Sequence, residues 1–329
     1  MRPVVLIFTR KVDGHADRLC SGLESEAVKP VRIHVEEIVQ FRFEIGAHSQ
    51  WIVLPNGEEV RCGDIRSVFV RALPASEDFG IVESQGAVSV SSYIAIQREA
   101  LFQDWINTLS LQVPFFNNFG ASLLCMGKSY QRAIANMIGL ETPECYTGET
   151  PGKAQEFVSL QCNFGRRVCT KPIAHKTVLL NEIKSARYTE IFDGDPSELD
   201  ALEGCPIIFQ NYVPKAYELR AYVVGDEVLT CKISSQQGGE RTSVDRRHYN
   251  IPQTPHEKYK LPQDLSKKLL LFHRKVGLRF SAFDFIRTPE GRYVFLETNP
   301  TGQWLWLEDL VGLPISVVLA RQLASPGAI

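Results

Sequence analysis

No apolar run in this sequence approaches the roughly 20 residues that a membrane-spanning helix needs. The opening "MRPVVLIFTRKVDG" turns polar without the small-residue cleavage site of a signal peptide, and it is read as a first strand. Eight cysteines occur, yet they form no CxxC pair and no His/Cys cluster with zinc spacing. Reduced packing thiols in a cytoplasmic protein are the expectation. Neither sign of charge dominates: the formal net charge is -2, and the basic pairs Arg166-Arg167, Arg246-Arg247 and Lys267-Lys268 stand isolated. No global field therefore draws the chain to nucleic acid or to an anionic membrane. Internal repeats, low-complexity segments and a Ser-His-Asp or Cys-His set are missing as well.

What is present is an ordinary globular composition, 44% hydrophobic and 22% charged, over 329 residues, enough for two or three domains. The first third alternates strand and helix. "VVLIF" is a buried strand, "HADRLCSGLES" a helix and "VRIHV" a strand. "QWIVLPNGEEVRC" sets Asn56-Gly57 between two extended segments, a strong hairpin pattern. Strand "IRSVFVRA" follows. In the helix "YIAIQREALFQDWINTL" the residues Leu101, Phe102, Trp105, Ile106 and Leu109 recur on one side, and "VPFFNN" is a short strand after it. Near residue 118 the character changes. A helix from Lys128 to Ile138 closes at Gly139, followed by strands "RRVCTKPI" and "PIIFQNYV". "YELRAYVVGDEVLTCKIS" is a hairpin turning at Gly225-Asp226, and helix "DLSKKLLLFHRKVGL" precedes a closing hairpin. The fold class is α/β, with α+β subdomains.

The chemistry concentrates in the last hairpin. In "YVFLETNPTGQWLWLE", strand alternation puts Tyr293, Phe295, Glu297 and Asn299 on one face and Val294, Leu296 and Thr298 on the other. If 289–292 form the loop, Asp284 of "FSAFDFI" falls opposite Glu297. Side by side, two carboxylates repel unless a cation lies between them. Hard oxygen donors of this kind suit Mg²⁺, which keeps waters and takes phosphate oxygens. A solvated hairpin with its acids in water is the alternative, and the flanking Phe283, Phe285 and Leu296 weigh against it. Cations for phosphate are then sought. Lys171 ends an apolar strand, Lys128 opens a helix, and Arg220 and Lys232 come from one hairpin, with Glu218, Arg220 and Tyr222 on alternating positions. Gln210 and Tyr212 end a strand before Pro214, where backbone groups can meet an adenine edge. Trp304 and Trp306 are expected to pack behind the metal strand.

In order and spacing, Lys128, Lys171, "FQNYV", "YELRAYVVG", Asp284 and "FLETNPTGQWLWLE" resemble an ATP-grasp ligase over about residues 118 to 310. "NPTGQWLWLE" and the N-terminal third are similar to the microviridin-type group, whose enzymes macrocyclise ribosomal precursor peptides. The resemblance implies a pre-ATP-grasp domain over 1–118 and an ATP-grasp domain over 119–329, with a central subdomain of about 140–213 and a catalytic one of about 214–329. It implies ATP and Mg²⁺ as cofactors. Lys128 and Lys171 would meet phosphates, Gln210, Tyr212 and Val213 the adenine, and Glu218 the ribose. Asp284, Glu297 and Asn299 would bind Mg²⁺, with Arg220 at the reacting phosphoryl group and Lys232 near it. The partner implied is a precursor peptide, a leader followed by an acidic, Thr-rich core, and a homodimer would fit. Two departures stand out: "AHKTVLLNEIKSARYTEIFDGDPSE" has no Gly-rich loop, and Arg246 occupies a position where Trp is expected. The segment Gln236 to His248 is expected to be a loop near the substrate. An amino-acid-adding ligase and a non-catalytic binding module remain as alternatives.

Overall fold

The computed structural model describes residues 2–81, 89–174, 178–180, 183–185, 189–195, 199, 204–237 and 254–327. Arg246 and nearly all of the Gln236–His248 segment lie outside the described residues. Three main sheets carry the architecture.

The first holds β1 (Val4–Thr9), β2 (Lys29–His34), β6 (Ile65–Val70) and β7 (Phe115–Phe116), all parallel, in the order β2-β1-β6-β7. Continuous apolar strands such as VVLIFT are what a parallel sheet covered on both faces requires. One face packs on α2 (Val90–Ser110) and on a small antiparallel sheet of β3 (Arg42–Ile45), β4 (Gln50–Val53) and β5 (Glu59–Arg61). The Asn56-Gly57 turn joins β4 to β5, with Gly57 at φ 84°. Phe102, Trp105, Ile106 and Leu109 of α2 are buried as expected, whereas Leu101 is 41% exposed. One residue more of helical rotation carries it off the buried stripe.

The other face of the first sheet receives α1 (Gly14–Ser25) and the last helix, α8 (Ile315–Ala324). The hydroxyl of Ser67 donates to the Leu323 carbonyl at 2.7 Å, so the C-terminus returns to the first sheet. That core runs on through Trp304 into Tyr222 and Phe280. Trp304 is fully buried, with Nε1 donating to the Ser316 hydroxyl at 2.8 Å, and it packs against Phe69 of the first sheet and Phe280 of β17. Trp306, on α7 (Leu305–Val311), is only partly buried and meets His256 edge-on, so the two tryptophans do different things.

The second sheet, antiparallel and ordered β12-β9-β13-β8, contains β8 (Cys145–Gly148), β9 (Val168–Lys171), β12 (Glu190–Phe192) and β13 (Ile207–Asn211). A two-stranded ribbon of β10 (Val178–Leu180) and β11 (Ile183–Ser185) lies between β9 and β12 in the chain. Helix α5 (Pro151–Asn163), which sequence periodicity did not reveal, covers one face of this sheet. The third sheet, ordered β16-β15-β14-β17-β18, contains β14 (Tyr217–Val224), β15 (Glu227–Ile233), β16 (His256–Tyr259), β17 (Phe280–Arg287) and β18 (Tyr293–Asn299). Its apolar face packs on α4 (Lys128–Met137) and α6 (Gln263–Val276), just beyond the short α3 (Phe119–Leu124). All eight cysteines are free thiols, but Cys162 and Cys205 are exposed and not core.

His273 of α6 is buried, with Nε2 at 2.7 Å from the Ser281 hydroxyl, and burial lowers its pKa to about 3. The folded protein thus binds this proton less readily than the unfolded chain. Stability contributed by the neutral ring is complete above the ordinary pKa of 6.5 and is lost as pH falls from 6.5 toward 3. Chemical denaturation across that window should show a slope of up to about 1.4 kcal/mol per pH unit from this group. His273→Gln is expected to flatten it. An unchanged slope would contradict the assignment.

Candidate active site

Which side chains reach the cleft follows from strand pairing, because residues opposite one another on neighbouring strands share a face. In the third sheet Glu218 pairs with Ile286 and Arg220 with Asp284, while Leu219 and Phe285 enter the core beneath α4 and α6. In the second sheet Gln210 pairs with both Cys145 and Cys169, and Ile208 with Lys171, while Phe209 and Val168 pack against α5. The face of the second sheet turned away from α5 and the part of the third sheet's face around Glu218 and Asp284, turned away from α4 and α6, meet at one cleft. Lys128, Lys171, Gln210, Tyr212, Val213, Glu218, Asp284 and Glu297 all line it, with Cys169, Ile286 and Leu296 as apolar wall.

β18 does not alternate as its sequence suggests. Arg287 pairs with Tyr293, so the turn spans 288–292 and is one residue longer than expected. A regular ladder from there would set Asp284 against Leu296. Instead a β-bulge lies between Asp284 and Phe285: Phe285 pairs with Phe295, Asp284 with Glu297, and Leu296 is the extra residue. The bulge inverts the parity. Tyr293 and Phe295 pack on the helix side, whereas Leu296 and Glu297 both line the cleft. The expectation that Tyr293 and Phe295 share a face with Glu297 is thereby corrected. The expected Asp284–Glu297 pairing holds, because a longer turn and a bulge displace the register in opposite senses.

Arg220 is the cation beside these acids. Its Nη1 donates to Asp284 Oδ2 at 2.7 Å and its Nε to the Tyr222 hydroxyl at 3.1 Å. Burial opposes its charge, and the Asp284 carboxylate with the Tyr222 oxygen more than offsets this, holding the guanidinium above its ordinary pKa. Tyr222 itself sinks into the core below, its hydroxyl donating to the Gln303 carbonyl.

Glu218 is buried and accepts from Lys215 Nζ at 2.6 Å and from the Ser235 hydroxyl at 2.8 Å. Lys215 lines the same cleft and was not found from sequence. The argument applied to Lys171 would have found it: a lysine flanked by apolar residues, here in "YVPKAYEL", needs a charge partner. Lys128 Nζ donates to the Pro172 carbonyl at 2.8 Å, which brings α4 to the end of β9 beside Lys171. Burial raises the Tyr212 pKa, against the opposing effect of Arg167.

Two expected residues sit differently. Asn299 is exposed, and its Oδ1 accepts from the Thr301 backbone N–H at 2.9 Å and its hydroxyl at 3.1 Å. Coordination by that oxygen requires the side chain to turn out of this loop. Lys232 pairs with Leu219, the opposite parity from Arg220, and so lies on the helix side of the sheet. Its Nζ bonds Glu257 at 2.7 Å and lies 4.8 Å from the Tyr217 ring centre. The expectation that Lys232 stands near Arg220 is corrected by that parity.

Beyond Asp284 and Glu297 the cleft widens to about 870 Å³ and meets the first sheet at Arg10, Asp13, His15 and Arg71. Arg71 is buried, with Nε 3.3 Å from Asp13 Oδ2, and it donates to the Thr301 carbonyl. His15 Nδ1 accepts from the Trp304 N–H at 3.3 Å, which leaves the ring proton on Nε2. Burial, with Arg71 adding to it and Asp13 opposing, lowers its pKa to about 4. Sequence patterning had marked none of these four.

This geometry, two α+β units facing each other over a cleft with lysines on one side and acids on the other, has parallels among solved structures. The chain superimposes on a Chryseobacterium gregarium RiPP-associated ATP-grasp ligase in complex with ADP and a leader and core peptide: TM-score 0.82, 23% identity, 99% of this chain and 98% of that one. The chain has the ATP-grasp fold. Macrocyclase MdnC, bound with precursor peptide MdnA from Microcystis aeruginosa MRC, gives 0.77 at 24% identity over 97% and 99%. Macrocyclase MdnB from the same organism gives 0.74 at 26% identity over 99% and 100%. No family model matches the chain, and no curated protein does. The ATP-grasp architecture thus stands on structure, where sequence similarity is thin.

Breaking the buried Arg220–Asp284 pair from one side leaves an uncompensated charge. Arg220→Met is expected to cost about 3–5 kcal/mol of unfolding free energy by denaturant titration, and Arg220→Met with Asp284→Asn distinctly less than the sum of the two single changes. Additive costs would contradict the pairing.

Proposed function

We propose that this chain is an ATP-dependent ligase that closes ω-ester or ω-amide rings in a ribosomally made precursor peptide. The observation that carries the proposal is the single cleft that Lys128 and Lys171 share with Asp284 and Glu297, between two sheets. Similarity to ligases crystallised with ADP and peptides supports it.

The donor chemistry of the site fits the expected cofactors. Asp284, Glu297 and Asn299 offer hard oxygens, and among the described residues no group of three or more His, Cys, Asp or Glu could hold a metal ion by itself. A cation held by so few protein ligands must complete its shell with waters and phosphates, which is how Mg²⁺ is bound at nucleotide sites. For adenine, Cys169, Ile286 and Leu296 supply apolar faces, and Gln210, Tyr212 and Val213 an edge. Glu218, held by Lys215 and Ser235, has a fixed carboxylate for ribose hydroxyls.

Bound ATP and Mg²⁺ would supply a phosphoryl group that turns an Asp or Glu side chain of the peptide into an acyl donor. Lys128 and Lys171 neutralise phosphate charge from one wall, and Arg220 does so from the other. Such transfer needs positioning and charge compensation more than covalent help from the protein. The attacking Thr or Ser hydroxyl, or Lys amine, belongs to the peptide, so the absence of a Ser-His-Asp set is consistent. Arg10, Arg71 and neutral His15 give the wide end of the cleft a donor-rich wall suited to an acidic peptide. The proposal includes a division into 1–118, about 140–213 and about 214–329, and a cytoplasmic setting in keeping with eight free thiols. Among the described residues no helix is long and apolar enough to cross a membrane.

Co-expression with a peptide rich in Thr, Asp and Glu should give a mass loss of one water per ring. A mass gain would favour an amino-acid-adding ligase, and a protein that neither binds nor consumes ATP would favour a non-catalytic module. Glu297→Gln is expected to slow ATP turnover about 10²–10³-fold, or ~3–4 kcal/mol of barrier. Lys232→Ala, on the other side of the sheet, should leave turnover within about twofold, since an exposed ion pair contributes at most ~1 kcal/mol. A large loss there would return Lys232 to the site.

A further inference from the structure

We infer that Gln131 of α4 positions the cation-binding side chains Glu297 and Asn299, by taking the place of the strand neighbour that β18 lacks at Thr298. The inference rests on the proposed role of Asp284, Glu297 and Asn299 as Mg²⁺ ligands.

β18 is the edge strand of its sheet; Glu141 bridges its outer side at Val294, its carbonyl accepting the Phe295 N–H at 2.8 Å, but no strand continues that pairing to Thr298. At Thr298, between Glu297 and Asn299, the residue is buried and water is not at hand to satisfy its outward backbone groups. The side-chain amide of Gln131 meets both. Its Nε2 donates to the Thr298 carbonyl at 2.8 Å, and its Oε1 accepts from the Thr298 N–H at 2.8 Å. This is the two-bond exchange that a residue on an adjacent antiparallel strand would make. A second Nε2 hydrogen goes to the Cys125 carbonyl. Gln131 is 3% exposed, and a buried amide with every bond made is rigid as well as costly to disturb.

From the other side, Thr298 Oγ1 donates to the Ser281 hydroxyl at 2.9 Å, which in turn lies 2.7 Å from His273 Nε2. The peptide units on either side of Thr298 are therefore held on the outer edge and on the helix face together. These are the units that aim Glu297 and Asn299 into the cleft. The bulge at Leu296 interrupts the ladder one residue before Glu297, so regular strand pairing alone does not fix that side chain. Gln131 provides the anchor just beyond it. It also stands three residues from Lys128, one turn along the same helix, and Lys128 reaches the end of β9. One helix thus sets both the lysine and the strand segment that carries Glu297 and Asn299. Nothing in "GKSYQRAIANM" signals this, since a glutamine on an amphipathic helix reads as surface.

Gln131→Glu and Gln131→Met in the full chain separate positioning from packing. Both keep the length of the side chain. Glu loses the Nε2 donors and adds a negative charge near the cation, whereas Met loses every bond. Mn²⁺ binding in the presence of ADP, followed by the electron paramagnetic resonance of free Mn²⁺, reports the site without requiring turnover, and thermal melting monitors the fold. Weaker Mn²⁺ binding by about 10–100-fold is expected in both variants, the size usual when a group supporting a metal ligand is lost. For Gln131→Glu this runs against simple electrostatics, which would tighten a cation. Mn²⁺ affinity within about threefold of the parent in either folded variant overturns the inference, as does unfolding of both, since Gln131 would then be a packing group. A parent protein that binds no Mn²⁺ with ADP, or a Glu297→Gln protein that binds it as the parent does, would instead sink the underlying reading of the site.

Discussion

Asp284 and Glu297 face each other across neighbouring strands with like charges, and Arg220 on the next strand makes that tolerable. In water this repulsion would be small, but in a half-buried cleft the same two charges interact several times more strongly. The guanidinium ties down one oxygen of Asp284 and donates a further bond to Tyr222, whose ring lies in the core below. In the proposed reading a divalent cation and phosphates would complete this charge set, so the arrangement that makes this part of the chain expensive to fold is the one that would suit it to that role.

The N-terminal third is built into this site. The loop after Asn299 is gripped group by group: Asn117 Nδ2 donates to the Pro300 carbonyl at 2.8 Å, Arg71 to that of Thr301, Tyr222 to that of Gln303, and the Trp304 N–H goes to His15. Three of these four side chains come from residues before 118. Asn117 holds a left-handed backbone, φ 65°, and also ties down the first residues of β17. Gly302 must be glycine, because a Cβ there would lie 2.5 Å from the Ala282 Cβ. With Trp304 and α8 packed against the first sheet, that sheet and the segment after β18 are held together, so Arg10 and His15 at the wide end of the cleft share one packed core with the strand that carries Glu297.

Much of the fold was legible as pattern. The strands of the first sheet, the Asn56-Gly57 and Gly225-Asp226 turns and the amphipathic α6 depend on neighbours in sequence, and local propensity decides them. Helix α5 was missed because its apolar residues, Ala154, Phe157, Val158 and Leu160, do not keep to one face: Leu160 is exposed, and Gln161 is buried in the stripe. At the site, strand parity correctly grouped Glu218 with Arg220, while the Asp284–Glu297 pairing held because the bulge offset the longer turn. It failed at Lys232, where the residues had been joined without counting across the hairpin, and at Phe295, where the bulge resets the count.

By itself the sequence determined the chemical inventory: paired acids near the end of a β-ribbon, lysines ending a strand and opening a helix, and no nucleophile or soft metal ligand grouped by spacing. Residue type and local periodicity suffice for that, because they express covalent chemistry and short-range geometry. Only the tertiary structure decided that Leu296 is the extra residue, that Lys215 answers Glu218, that Gln131 completes an edge strand, and that Arg71 and His15 wall the cleft. The partners range from three residues apart, as with Lys215 and Glu218, to 289, as with His15 and Trp304. Packing brings such groups together to satisfy buried polar atoms, and no local pattern records which partner will be supplied.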